Sequence, residues 1–197
     1  MRSLYEFIIK PLENRYDNTK VVGDKTLIIN TNIENHRFVS KEAVVVSVPA
    51  AYDSLIKVGD EIYVHHNIFR RWYDQKGRQR NSSMFFKDDL YFCSLDQIYM
   101  YNGKCNGPYC FVKPIINQNH LDTDKEQSNV GIVKYTNKFL DDLKITPGTL
   151  VTFTPDSEFE FIINNERLYC MKSNYIALTH EKEGNEREHN PSWAKGS

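Results

Sequence analysis

The hydrophobic positions of this chain come in short runs rather than long stripes. Phe7-Ile8-Ile9 closes on Lys10-Pro11, Val44-Val45-Val46 is flanked by Ala43 and Ser47, and Ile62-Tyr63-Val64 follows a Gly59-Asp60 turn. Short apolar or alternating runs bounded by Gly, Pro, Asn or Asp predict strands. No long stretch sustains the 3.6-residue apolar period of an amphipathic helix. The 12 Tyr and 11 Phe point the same way, because aromatic side chains suit the pleated, half-buried surface of a sheet. The pattern predicts an all-β protein.

The runs also recur in order. Phe7-Ile8-Ile9-Lys10-Pro11-Leu12 is answered by Cys110-Phe111-Val112-Lys113-Pro114-Ile115, and Val44-Val45-Val46-Ser47-Val48 by Ile132-Val133-Lys134-Tyr135. The segment Ile56 to Val64, with its Gly59 turn, is answered by Leu143 to Phe153, with Gly148. Each half then ends in a pair of strands, Leu90–Cys93 with Ile98–Met100 and Leu168–Met171 with Ile176–Leu178. Repeated short strands with Gly and Pro turns predict two tandem small β-barrels, residues 1–102 and 103–180, followed by a polar tail at 181–197. The Asn102-Gly103 pair marks the division.

The halves differ by two insertions. Between Pro11 and Val44 lie 32 residues, against 17 between Pro114 and Ile132. Between Val64 and Leu90 lie 25, against 14 between Phe153 and Leu168. Loops carry function more often than the sheets beneath them, so the first half is expected to be the active one. Its first insertion, residues 13–42, is polar except for Leu27-Ile28-Ile29, which follow Gly23-Asp24-Lys25-Thr26. Three aliphatic side chains on a polar loop suit a docking hook that orders on entering an apolar groove. An ordinary edge strand is the alternative. The second insertion, residues 65–89, carries Phe69, Arg70, Arg71, Trp72, Tyr73, Lys76, Arg78 and Arg80 around a turn at Asp74-Gln75-Lys76-Gly77. It reads as a projecting basic hairpin, with Phe69, Arg70, Arg71, Trp72, Tyr73, Arg78 and Arg80 as candidate contacts to a client or a neighbouring subunit. Arginines among aromatics also suit phosphate contact with base stacking.

Charge and chemistry narrow these options. Lys+Arg 25 against Asp+Glu 26 leaves a net charge of −1, which argues against bulk attraction to nucleic acid or anionic lipid. No apolar run approaches a membrane span, and Met1–Phe7 carries charge without the apolar core of a signal peptide, so a cytoplasmic location is expected. Cys93, Cys105, Cys110 and Cys170 form no C-x-x-C and read as reduced thiols. Cys105 and Cys110 with His65-His66 are conceivable zinc ligands by type, but their spacing fits no standard knuckle. Phosphate-binding, dinucleotide, zinc-protease and nucleophile-elbow motifs are absent. The adjacent carboxylates Asp88-Asp89 and Asp141-Asp142 would face opposite ways in a strand. No enzyme activity, cofactor or metal is expected.

The succession of marks resembles the GroES-type co-chaperonin family. They are the Lys10-Pro11 strand end, the loop with its aliphatic triplet, Glu42-Ala43-Val44-Val45-Val46-Ser47-Val48, the Lys57-Val58-Gly59-Asp60 turn and the Asp96-Gln97-Ile98-Tyr99 strand. The resemblance covers about residues 4–101, and residues 109–180 are similar in degenerate form, with Thr146-Pro147-Gly148-Thr149 at the turn. It implies two GroES-like barrels in a homo-oligomeric ring. The ring would cap a nucleotide-bound GroEL-type chaperonin and enclose an unfolded client. Leu27, Ile28 and Ile29 would be the chaperonin-binding residues, with Gly23 supplying flexibility. The second repeat's loop holds the isolated Leu121, so it is not expected to bind chaperonin. The divergence fits a bacteriophage-encoded member acting in the host cytoplasm. The rival reading is a virion structural or nucleic-acid-binding β-protein that uses the basic 69–80 hairpin.

Overall fold

The computed structural model describes residues 2–16, 19–28, 35, 38–116 and 126–183. Strands are its dominant elements, as the alternation predicts, and it divides into two compact units, Met1–Asn102 and Gly103–Ser197. In chain order the first unit holds β1 (Phe7–Pro11), β2 (Thr19–Val22), β3 (Lys25–Ile28), β4 (Glu42–Ser47), β5 (Glu61–Val64), β6 (Arg71–Tyr73), β7 (Gln79–Asn81), β8 (Phe85–Lys87), β9 (Leu90–Cys93) and β10 (Ile98–Tyr101). The second holds β11 (Lys104–Cys105), β12 (Tyr109–Ile116), β13 (Glu126–Tyr135), the helix α1 (Lys138–Asp142), β14 (Thr149–Phe153), β15 (Phe159–Ile163), β16 (Glu166–Lys172) and β17 (Ile176–Glu183). β17 therefore runs three residues into the segment read from sequence as a polar tail.

The main sheet of the first unit runs β10-β5-β4-β1-β9-β8, and that of the second β17-β14-β13-β12-β16-β15. These are the same order element for element, and every pairing is antiparallel. The agreement extends to register. Ile9 pairs with Val45 and Lys10 with Val44, as Val112 pairs with Val133 and Lys113 with Ile132. The ladder is interrupted at Ile8/Ile9 in one unit and at the matching Phe111/Val112 in the other. Ile9 faces Tyr91 across β9, and Val112 faces Tyr169 across β16. The turns agree too. Gly59 (φ 90°) donates its N–H to Val45 O, and Gly148 (φ 100°) to Val133 O, both at 2.8 Å. Only glycine takes such a φ without steric cost, which is why it stands there in each repeat.

The sheets are not closed barrels. The first ladder ends at β8, and the second ends at β15 and β17. Short strands with breaks in register build the alternating pattern of a barrel without completing its hydrogen bonding, so the pattern alone did not distinguish the two. Each unit still has its own core. Phe7, Ile9, Val45, Ile62, Val64, Tyr91 and Ile98 meet in the first, and Cys110, Val112, Val133, Val151, Phe153 and Met171 in the second. Each large apolar side chain so withdrawn contributes roughly 1.5–3 kcal/mol before its ordering cost.

The single-turn helix α1 was not foreseen. Asn137 caps it, accepting from Leu140 N–H at 3.0 Å, while its own amide donates to Tyr109 O (3.0 Å) and Ser173 Oγ (3.2 Å). The helix exists to lower Leu140 into the core, and one turn is too short to leave a periodic trace.

Candidate functional site

Both insertions of the first repeat form hairpins of their own, hydrogen-bonded apart from the main sheet. The first is β2–β3. Thr19 pairs with Ile28, Lys20 with Leu27, Val21 with Thr26 and Val22 with Lys25, around a turn in which Gly23 has φ 59°. Leu27 and Ile28 thus lie in a strand rather than in an irregular loop, and Ile29 lies outside the described residues. The signal was present in the sequence: valines before a Gly-Asp turn and Thr-Leu-Ile after it.

The second insertion opens with a 3-10 turn, His66–Ile68, capped by His65, whose Nδ1 accepts from Asn67 N–H at 3.1 Å. Burial holds the His65 ring below its ordinary pKa, which favours the neutral form with an acceptor nitrogen. The turn drops Ile68 and Phe69 into the core. The β6–β7 hairpin follows, with Arg71 opposite Asn81, Trp72 opposite Arg80 and Tyr73 opposite Gln79. Asp74 organises its tip. One carboxylate oxygen accepts from the N–H groups of Lys76 and Arg78 at 2.9 Å each, and the other from Arg80 Nε at 3.0 Å. The Arg78 backbone bond is the largest cause of the lowered pKa of this carboxyl. Gly77, at φ 69°, completes the turn.

Arg15 ties the root of the first insertion to the second hairpin. It is only 8% exposed. Its Nε donates to Phe69 O, Nη1 to Asn81 Oδ1 at 2.8 Å and Nη2 to Arg70 O at 3.2 Å. The guanidinium lies 5.1 Å from the centre of the Tyr91 ring, so one cation meets three acceptors and a π face. Tyr16 adds a second tie, accepting from Arg71 N–H at 2.7 Å while the Arg71 guanidinium sits 5.7 Å from its ring. Tyr16 also bridges Val39, and Arg15 O accepts from Ser40 N–H at 3.0 Å, which closes the root of the first insertion. Sequence reasoning missed Arg15. Its partners stand more than 50 residues away, and a lone arginine in a polar segment carries no local signal.

The sequence-predicted contact residues separate into four groups. Phe69 is corrected: it is 0% exposed, its ring packed edge-on against Tyr91 at 4.8 Å, and it offers no contact surface. An apolar residue beside arginines looks the same in sequence whether it faces out or in. Arg71 and Arg80 are engaged within the chain, by Tyr16 and Asp74. Trp72 and Tyr73 are 44% and 51% exposed, and Arg78 is exposed at the tip. Arg70 lines a groove with Asn67, Trp72, Ser82 and Ser83.

Among the described residues no group of three or more His, Cys, Asp or Glu side chains could hold a metal ion. Cys93, Cys110 and Cys170 are buried, and burial pushes their thiols and that of Cys105 upward, Cys110 to about 12, which keeps them protonated and poor nucleophiles. No described helix is long and apolar enough to cross a membrane. No protein-family model matches this chain, and no curated protein matches it. The functional reading therefore rests on the residues themselves.

Proposed function

We propose that this protein is a co-chaperonin, a ring-forming cap for a GroEL-type chaperonin, built from two GroES-like repeats that form open relatives of the family's small barrels. The observation that carries this reading is the placement of the aliphatic triplet. Leu27 and Ile28 lie in a hairpin that shares no ladder with the main sheet and whose root is closed by Arg15, Tyr16, Val39 and Ser40. A segment anchored at its base and independent of the fold's own sheet can enter a partner's groove without unfolding its scaffold. Its side chains would supply roughly 1.5–3 kcal/mol each on burial, and a ring would multiply a modest single-site affinity. The second repeat lacks both insertions and serves the ring structurally. The basic hairpin faces the client.

The nucleic-acid reading is weakened by the engagement of Arg71 and Arg80, which leaves few free cations for a phosphate backbone. The test is co-sedimentation with a bacterial GroEL-type chaperonin, with and without ADP, beside a Leu27→Ser/Ile28→Ser/Ile29→Ser variant. Nucleotide-dependent binding that the variant loses is the expected result. Binding retained by the variant would move the hook elsewhere, and absence of binding to this and to the native host's chaperonin would sink the reading.

A further inference from the structure

The groove at the root of the basic hairpin has a chemistry that the capping role does not use. It has a volume of about 460 Å³ and is lined by Asn67, Arg70, Trp72, Ser82 and Ser83. Strand alternation explains the assembly. Arg70, Trp72, Arg80 and Ser82 fall on one face of the hairpin, while Arg71, Tyr73, Gln79 and Asn81 fall on the other. The second face is occupied, Asn81 by Arg15 and Arg71 by Tyr16. The first face lines the groove.

Arg70 is the unusual member. Its backbone is held firmly, its carbonyl accepting from Arg15 Nη2 at 3.2 Å and from Ser82 N–H at 3.1 Å. Its guanidinium, by contrast, has no ion pair or hydrogen bond among the described residues, and its Nε is buried without a partner. A buried guanidinium nitrogen without a partner is costly, and an anion meeting the terminal nitrogens of the same guanidinium would offset that cost. Arg80, on the same face, is already neutralised by Asp74 at 3.0 Å. Lys76 and Arg78 belong to the turn at the other end of the ladder. The groove therefore offers one uncommitted cation, flanked by hydroxyl and amide groups and by the exposed indole of Trp72. One forked cation beside an aromatic plate matches one carboxylate next to an apolar side chain. A polyphosphate strand would call for a row of free cations.

We infer that this groove binds a single carboxylate of a client polypeptide, with Arg70 as its partner and Trp72 as the apolar platform beside it. The inference rests on the co-chaperonin reading only for the identity of the polypeptide. Tryptophan fluorescence tests it directly. The chain has 2 tryptophans, so a Trp193→Phe background leaves Trp72 as the reporter. The probes are an N-acetylated, C-amidated peptide with one glutamate between two phenylalanines, its glutamine counterpart, a phenylalanine peptide with a free carboxyl end, and hexathymidylate.

The glutamate peptide or the free-carboxyl peptide should give a saturable change with Kd of about 1 mM or tighter. Whichever of these two binds tighter identifies a side chain or a chain end as the source of the carboxylate. The glutamine peptide should bind about tenfold more weakly. Arg70→Gln should abolish the preference for glutamate over glutamine, and Arg70→Lys should retain part of it, since the charge stays while the fork is lost. Equal binding of the glutamate and glutamine peptides, with no tighter binding of the free-carboxyl peptide, would overturn the inference without any Arg70 variant. So would tighter binding of hexathymidylate, or no saturable change with any carboxylate. Carboxylate binding without chaperonin co-sedimentation would uphold the groove and remove the co-chaperonin reading; the converse would do the opposite.

Discussion

Tyr91 and Tyr169 occupy the same register position in the two repeats and live in different surroundings. Tyr91 is fully buried, with Arg15 over its ring, Phe69 and Phe85 against its edges and its hydroxyl donating to Asp89 at 3.0 Å. Tyr169 is half-buried on a surface network, donating to Glu126, accepting from Arg167 Nη2 at 3.0 Å, while Arg167 also pairs with Glu126 and Glu160. Partial burial and the neighbouring Glu126 push its pKa up to about 12. The scaffold beneath is the same; the insertions above it are not. In the first repeat they have added a second layer of packing, which makes the tyrosine a core residue and ties the root of the first insertion to the second hairpin.

If that layer belongs to the first repeat's core, Phe69→Ala should have the largest effect. Truncating a fully buried phenylalanine costs about 3–5 kcal/mol. Urea denaturation followed by Trp72 fluorescence, in a Trp193→Phe background, should show an early transition for the first unit. A stability change under about 1 kcal/mol would return Phe69 to the surface role read from the sequence. Arg15→Met comes next, at about 2–4 kcal/mol, because three acceptors lose a charged donor. Hydrogen exchange should quicken in residues 19–28 and 71–81 together. Quickening in residues 71–81 with none in 19–28 would show that the first hairpin does not depend on the root that Arg15 holds.

The comparison can also be sharpened from the second repeat. Gly131 matches Ala43 in register, yet a Cβ at Gly131 would sit 2.4 Å from Val112 Cγ1 and 2.7 Å from Lys113 O. Gly131→Ala should therefore destabilise the second unit by about 1–3 kcal/mol, although it restores the residue of the first. The reporter is β12–β13 hydrogen exchange, and a neutral outcome would mean that the two ladders are closer in spacing than these distances allow.

The smallest effect separates the matched turn residues Asp60 and Thr149. The Lys57 backbone N–H, at 2.8 Å, is the main cause of the lowered pKa of Asp60, with Asn102 adding to it. A carboxyl with a depressed folded pKa stabilises above its unfolded value, and the gain is lost as pH falls through the folded one. The first unit should thus lose a small increment on acidification below the ordinary carboxylate range. Asp60→Asn should abolish this component in a pH series of melting curves. Thr149 gives the second unit's turn no counterpart. The increment is small because this partly exposed carboxyl is screened by solvent.

Much of this architecture was legible in the residues. Lys10-Pro11 and Lys113-Pro114, Gly59 and Gly148, and Leu90-Tyr91 and Leu168-Tyr169 led to matched positions in the two sheets, because strand alternation and left-handed glycine turns are local properties. The basic hairpin and its Gly77 turn were legible for the same reason. The sense of Phe69 was not, nor the closure of the sheets, since a short amphipathic strand looks alike in an open sheet and in a barrel.

By itself, then, the chain's pattern determined the strands, the repeat and which half carries the long loops, all set by side-chain period and backbone conformation over a few residues. Only the tertiary structure decided that Phe69 is core, that Arg15 ties the root of the first insertion to the second hairpin and that the Arg70 guanidinium has no partner among the described residues. Those outcomes depend on groups more than 50 residues apart competing for the same buried space and the same hydrogen-bond acceptors, and no local pattern records who wins.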